Sequence, residues 1–261
     1  MSVRRVVATV VPPAIVGAAF LAAWELIVRG FDLKPYFLPA PSAIAEAFVD
    51  NIDQVADATL QSGSNALVGL IAGTLLGIAA SFLLMRFRLV NELATPLAVA
   101  LNAIPIIVLV SVFNNMFSST TEVPRRLMVT LIVFFIVLVN VAKGLRQVQP
   151  THLELLRSYA ATPAQVLMKA RIPNAVPYLF TSLKISAPTA VITAFVAEYF
   201  GGRQNGLGSR ITSSFANSRN AAAWAYVIGA CVLGLTFYLV SIALENITTH
   251  RRGAAPGGAT T

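Results

Sequence analysis

The sequence predicts an all-α, polytopic membrane protein with six transmembrane helices and a folded loop between the fourth and fifth, on three observations. Of its 261 residues 56% are apolar and only 11% charged, against roughly 25% charged in an average globular chain. Its uncharged stretches approach the roughly 20 residues that a helix needs to cross about 30 Å of hydrocarbon. The 19 Lys and Arg residues sit at the edges of those stretches rather than in clusters with stacking aromatics, so the formal charge of +8 speaks for membrane orientation and against nucleic acid. An ordinary cytosolic enzyme core is excluded.

The first span, about residues 6–28, has its uncharged part from Val6 to Trp24. Arg4 and Arg5 before it suggest a signal peptide, but that uncharged part exceeds the roughly 7–15 residues of a signal core, and Glu25 and Arg29 follow where a cleavage site would stand. Pro39-Ala40-Pro41-Ser42 then precedes a helical pattern with Ile44, Ala47, Phe48 and Ile52 on one face and acids on the other, which predicts a helix along the outer surface. The second span, 60–85, repeats Gly69, Gly73 and Gly77 one turn apart and so predicts close helix approach, within the chain or between two chains. The third, 93–113, carries Asn102, Pro105 and Ser111, and its proline should bend it. The fourth, 126–143, is short between Arg126 and Lys143; the fifth, 176–198, contains Lys184; the sixth is 221–245. Long basic side chains near helix ends extend to the headgroups, so these cations mark edges.

With the N-terminus inside, the inner segments hold Arg4, Arg5, Arg86, Arg88, Lys143, Arg146, Arg157, Lys169, Arg171, Lys184, Arg251 and Arg252. The outer bases Arg29, Lys34, Arg125, Arg126, Arg203, Arg210 and Arg219 are matched by Asp32, Glu46, Asp50, Asp53, Asp57, Glu122 and Glu198. This bias places both termini in the cytoplasm, and an even number of crossings keeps Arg251 and Arg252 inside. The transmembrane domain is thus 1–252, and the Gly, Ala, Pro and Thr tail 253–261 is expected to be disordered. Cys231 is the one cysteine, so no internal disulfide supports the fold. No internal repeat is visible.

The inner loop 144–174 looks built. Thr151-His152-Leu153-Glu154 fits a capping box, and Thr162-Pro163-Ala164-Gln165 repeats the signal, with Pro173 ending the second helix. Two short helices that mix Leu153, Leu156, Tyr159, Val166 and Leu167 with Glu154, Arg157, Lys169 and Arg171 are either an amphipathic pair on the bilayer or a knob that docks in a partner's groove.

The run Glu154-Leu155-Leu156-Arg157-Ser158-Tyr159-Ala160-Ala161-Thr162, followed by Ile172-Pro173, resembles the EAA loop of permease subunits from binding-protein-dependent ABC importers. Leu38-Pro39-Ala40-Pro41-Ser42, Ala103-Ile104-Pro105, and Glu198 with Gly206-Leu207-Gly208 resemble the nitrate, sulfonate and taurine branch. The resemblance implies that Glu154 to Thr162 is the coupling helix held by a cytoplasmic ABC ATPase, that the outer segments meet an extracytoplasmic substrate-binding protein, and that the chain pairs with a second permease, alike or different, in a bacterial inner membrane. The family has Glu-Ala-Ala and then a glycine six residues after the glutamate; this chain has Glu-Leu-Leu and Ala160.

No phosphate loop, HExxH, Gly-x-Ser-x-Gly or metal-ligand spacing occurs, which excludes an enzyme, a metal site or a cofactor bound by this chain; ATP would be used by the partner. His152 reads as a surface helix residue. Asn102, Pro105 and Ser111, with the stripe Ser182, Ser186, Thr189 and Thr193 beside Pro188, are candidates to line the translocation pathway; buried interhelical or backbone hydrogen bonds are the alternative. The solute ranks as a small anion such as nitrate, sulfonate or taurine, ahead of a pyrimidine, thiamine-precursor or flavin-like solute. An ion-coupled secondary carrier would place an ionisable residue deep in a span, whereas Glu25, Lys184, Glu198 and Glu245 all fall near ends.

Overall fold

The computed structural model describes residues 3–86, 104–118 and 120–250. They form α1 (Val3–Gly30), α2 (Pro41–Asp50), α3 (Ile52–Arg86), α4 (Ile106–Phe117), α5 (Val123–Arg146), α6 (Pro150–Ser158), α7 (Pro163–Val166), a π-turn (Leu167–Arg171), α8 (Ile172–Tyr199), α9 (Leu207–Ala216) and α10 (Asn220–His250). Every regular element among the described residues is helical. Five stretches are long and apolar enough to cross a membrane: Val11–Gly30, Ile52–Met85, Val123–Arg146, Pro163–Tyr199 and Asn220–Thr248.

The sequence led us to expect six spans. Most of the expected third, 93–113, lies outside the described residues, as do Asn102 and the tail 253–261. Its described end, α4, is a shorter apolar helix that runs on to Phe117. Pro105 does not bend that helix from within but stands at its N-cap with φ −58° and ψ 126°. Proline's locked φ and missing N–H suit it to a helix start, where no intrahelical donor is needed.

α3, α5 and α8 are the centre of the bundle, and α3 with α5 is the most extensive pairing. Gly69, Gly73 and Gly77 face Val129, Val133 and Val137, which are all fully buried. A Cβ on Gly73 would lie 2.6 Å from the Thr130 carbonyl oxygen, and one on Gly77 2.9 Å from that of Phe134. In lipid, where helices gain little from hydrophobic exclusion, such backbone approach provides the van der Waals contact that holds a pair together. The glycine repeat therefore serves contact within one chain.

The peripheral elements are tied on by polar groups. Glu25 on α1 accepts from the backbone N–H (3.1 Å) and hydroxyl (2.8 Å) of Ser42 and from Arg29 Nε (2.6 Å), which places a carboxylate on the first turn of α2. Trp24 stacks edge-on against Trp224 at 5.4 Å. As the surface-helix pattern predicts, Ile44 of α2 is buried and Phe48 packs on the main core. Lys184 of α8 pairs with Glu245 of α10 at 2.8 Å, so each neutralises the other.

Gly73→Ala should lower the thermal stability of the detergent-solubilised chain by about 1–3 kcal/mol, because the backbone of α5 blocks the new methyl. Gly17→Ala and Gly234→Ala, where nothing lies within 4 Å, should leave the melting temperature unchanged or slightly raised.

Candidate functional site

The loop between α5 and α8 is an ordered elbow. α6 starts at Pro150 with Gln149 at its N-cap and no side-chain cap, so the box expected at Thr151 and Glu154 is not made. Proline fits the first helical position, and its fixed φ begins the helix one residue ahead of the threonine. Residues Glu154, Leu155, Leu156, Arg157 and Ser158 lie on α6, Tyr159 is its C-cap, and no residue of the helix is buried. Leu155 is 55% and Tyr159 76% exposed.

The helix ends in a Schellman turn: Ala161 N–H donates to Leu156 O (3.0 Å) and Ala160 N–H to Arg157 O (2.9 Å). Ala160 takes φ +50°, the left-handed region where an L side chain costs roughly 1–2 kcal/mol. This is the position at which the resembled loop carries glycine, so the chain keeps the turn and bears its strain.

Thr162 opens the next helix with a complete capping box: Gln165 N–H donates to Thr162 Oγ1 (3.3 Å) and Thr162 N–H to Gln165 Oε1 (2.8 Å). Pro173 does not end it. The helix widens into the π-turn, where Ile172 N–H donates to Leu167 O, and continues as α8. Proline cannot donate to the carbonyl four residues back and its ring crowds it; a π-turn immediately ahead relieves that conflict and lets the rod run on.

Side chains then fasten this rod to the end of α5. Arg171 donates to Leu145 O (3.1 Å), Asn174 Nδ2 to Gly144 O (2.7 Å) and Gln147 O (3.2 Å), and the Tyr178 hydroxyl to Gln147 Oε1 (2.9 Å). The last carbonyls of α5 are satisfied this way. Gly144 leaves no room for a Cβ, which would meet Ala175 Cα at 2.8 Å. A cleft of about 530 Å³ opens between the elbow and the end of α3, lined by Met85, Leu153, Arg157, Pro163, Leu167 and Arg171 among others.

At the opposite end lies a buried polar knot that the sequence reading missed. Glu198, fully buried, accepts from Ser62 Oγ (2.6 Å), Gly208 N–H (3.2 Å) and Asn65 Nδ2 (3.4 Å). Ser62 Oγ in turn accepts from Leu207 N–H (2.9 Å). Asn65 also donates to Glu122 Oε2 (2.9 Å) and accepts from Arg126 Nε (3.1 Å). The Glu122 carboxylate meets Arg125 (2.5 Å) and Asn205 Nδ2 (3.0 Å), and Arg125 reaches on to Asn205 Oδ1 (3.2 Å) and the Arg203 carbonyl. A Cβ on Gly206 would collide with the Glu198 carboxyl, and one on Gly208 with the Phe195 carbonyl oxygen. The Gly206-Leu207-Gly208 turn is therefore the lid over a buried carboxylate. Ser62 and Asn65, polar and three apart in an apolar span, were the available signal.

Burial raises the Glu122 carboxyl's pKa, but hydrogen bonds from Asn205 and Arg125, the Arg125 charge and the Asn65 hydrogen bond outweigh it and hold it below the ordinary carboxylate value.

The expected pathway residues separate. Ser182, Ser186 and Thr193 are buried inside the bundle, and Thr189 is half-buried. Ser182 and Thr189 donate to the carbonyls of Leu179 and Ile185 (2.7 Å each), the backbone bonding weighed as the alternative. Ser111 is exposed on α4. The described residues contain no His, Cys, Asp and Glu group able to hold a metal ion.

A family model described as binding-protein-dependent transport system inner membrane component matches residues 69–252. The chain is 28% identical over 237 residues to a formylaminopyrimidine transport permease protein of Halalkalibacterium halodurans, covering 90% of this chain and 93% of that one. It is 26% identical over 196 residues to a probable ABC transporter permease protein of Haemophilus influenzae (75% and 79% covered). To the taurine transport system permease protein of Escherichia coli it is 24% identical over 237 residues (88% and 84% covered).

Two outcomes follow from this geometry. Ala160→Gly should relieve the left-handed strain and increase amide-exchange protection across 150–162 by about five-fold, the equivalent of roughly 1 kcal/mol. A carboxylate held below its ordinary pKa adds stability that is complete above about pH 4.3 and is lost as pH falls through the lowered value. Glu122→Gln should therefore cost about 3 kcal/mol at neutral pH, by leaving Arg125 buried without its counter-charge, and its melting deficit should narrow as the pH falls below 4.

Proposed function

Because the chain belongs to the family of binding-protein-dependent transport system inner membrane components, we propose that its exposed elbow, Glu154 to Thr162, is the coupling helix through which a separate ABC ATPase drives it. The chain itself is a multi-pass inner-membrane permease subunit and not an enzyme. The observation that carries the coupling reading is the contrast within the elbow: α6 buries none of its own residues, yet a Schellman turn, a capping box and the Arg171 and Asn174 straps hold it in one place. A helix fixed so firmly with Leu155 and Tyr159 exposed is suited to a partner's groove.

In the cycle we infer, a binding protein outside delivers solute to a pathway between this chain and a second permease subunit, and two ATPase subunits close on ATP. Nothing in this chain supplies that energy. The elbow must interact differently with the open and closed ATPase for the cycle to advance, since a ligand shifts an equilibrium only by its differential affinity. Six crossings with both termini inside complete the topology we infer, the third of them, 93–113, falling largely on residues outside those described. On the pathway we retain Pro105, Ser111 and Thr189, which are not buried.

The solute we assign is a small anion of the nitrate, sulfonate or taurine kind, by similarity to the taurine permease. A formylaminopyrimidine-like heterocycle is the second reading, favoured by the 28% identical relative that the chain covers almost end to end.

Tyr159→Cys, made in a chain whose exposed Cys231 is replaced by alanine, should crosslink to a nucleotide-hydrolysing subunit in intact cells. Uptake of taurine or formylaminopyrimidine into proteoliposomes containing the ATPase and the binding protein should require ATP and survive collapse of ion gradients. Uptake that followed the gradient without the ATPase would identify an ion-coupled carrier.

A further inference from the structure

At the end of the bundle remote from the elbow, the start of α3, the end of α9 and the start of α10 enclose a polar pocket of about 70 Å³. Asn51, Gln54, Arg210, Ser214, Asn217 and Arg219 line it, and no carboxylate does. Its exposed sequence neighbours Asp50 and Asp53 are not among the lining residues. Neither guanidinium has an acidic partner among the described residues.

The neighbouring backbone acceptors already hold donors. At the end of α9, Ser213 O accepts from Asn217 N–H (3.2 Å) and Nδ2 (2.7 Å), Phe215 O from Ser218 N–H (3.0 Å) and Ser214 O from Arg219 N–H (2.8 Å). Gln54 Oε1 accepts from the Tyr226 hydroxyl (3.3 Å), which leaves its amide N–H groups as the remaining donors. The first turn of α10, which borders the pocket at Ala222, adds the positive end of a helix dipole. Two guanidinium groups and the Gln54 amide N–H groups thus border a space of about 70 Å³, beside Asn51 and Asn217, whose amide N–H groups already donate to Ala47 O and Ser213 O.

We propose that this pocket binds a single oxyanion group, a sulfonate, carboxylate or phosphate head, with the rest of the molecule left outside. Planar guanidinium forks match such oxygens two at a time. The same chemistry arrives either on a soluble anion or on the headgroup of an anionic lipid.

The test uses the chain in nanodiscs without any ATPase, so its failure leaves the import reading standing. In zwitterionic discs, methanesulfonate should raise the melting temperature above that in chloride at equal ionic strength, and in Arg210→Gln/Arg219→Gln the half-saturating concentration should rise at least ten-fold. Arg210→Lys/Arg219→Lys, which keeps the charge and loses the fork, should fall between. This pattern identifies a soluble oxyanion as the occupant. If instead the natural chain outlasts the Gln variant only in discs containing phosphatidylglycerol, and methanesulfonate adds nothing there, the occupant is a lipid headgroup. A natural chain and a Gln double variant that respond alike to methanesulfonate and to phosphatidylglycerol would overturn the proposal.

Discussion

Contact between the backbones of α3 and α5 is the constraint on which the rest depends. Glycines at 69, 73 and 77 let the valines at 129, 133 and 137 sit directly on the α3 backbone. That approach brings Asn65, one turn before the first glycine, within bonding reach of Glu122 and Arg126 at the start of α5. With bulkier residues in the glycine row the helices would stand further apart, and the amide of Asn65 would be left without partners in a medium that offers none. Packing and polar satisfaction are therefore one requirement here.

The two ends of the bundle meet it differently. At the Glu198 end the polar groups are inside: a carboxylate with almost no exposure is held by a serine, an asparagine and the backbone of a glycine turn. Removing one donor there leaves a buried carboxyl oxygen without a partner, so the knot works as a unit. At the elbow end the polar groups are straps on the surface of the rod, and Leu155 and the capping Tyr159 are left exposed. One end is closed by its own side chains, and the other leaves a held helix exposed.

How much of this was legible in the sequence follows the range of the interactions. The Thr162 and Gln165 box is a contact across three residues and was read correctly. The similar pattern at Thr151 was not formed, because Pro150 supplies a competing start one residue earlier. Pro173 was read as a terminator, since local rules do not anticipate a π-turn that absorbs the proline. The buried knot was missed for a different reason: Ser62 and Glu198 meet across 136 residues, and hydropathy averaging passes over the signal that Ser62 and Asn65 give in an apolar run. The hydroxyl stripe on α8 follows from helical spacing, but periodicity cannot say what covers a face, and Ser182, Ser186 and Thr193 are buried.

The strain at Ala160 connects structure to mechanism. An exposed turn gains nothing from packing, so a left-handed alanine there persists only because both Schellman bonds and the following capping box hold it. Those bonds fix the angle between α6 and the rod of α7 and α8, and the Arg171 and Asn174 straps fix that rod to α5. A push on α6 therefore cannot be absorbed by bending at the turn without breaking hydrogen bonds at two successive caps. It must pass into α8 and α5 together, and through the glycine contact into α3. The stiffness that the proposed coupling role requires of the elbow thus comes from the same local bonds that hold Ala160 in its left-handed turn.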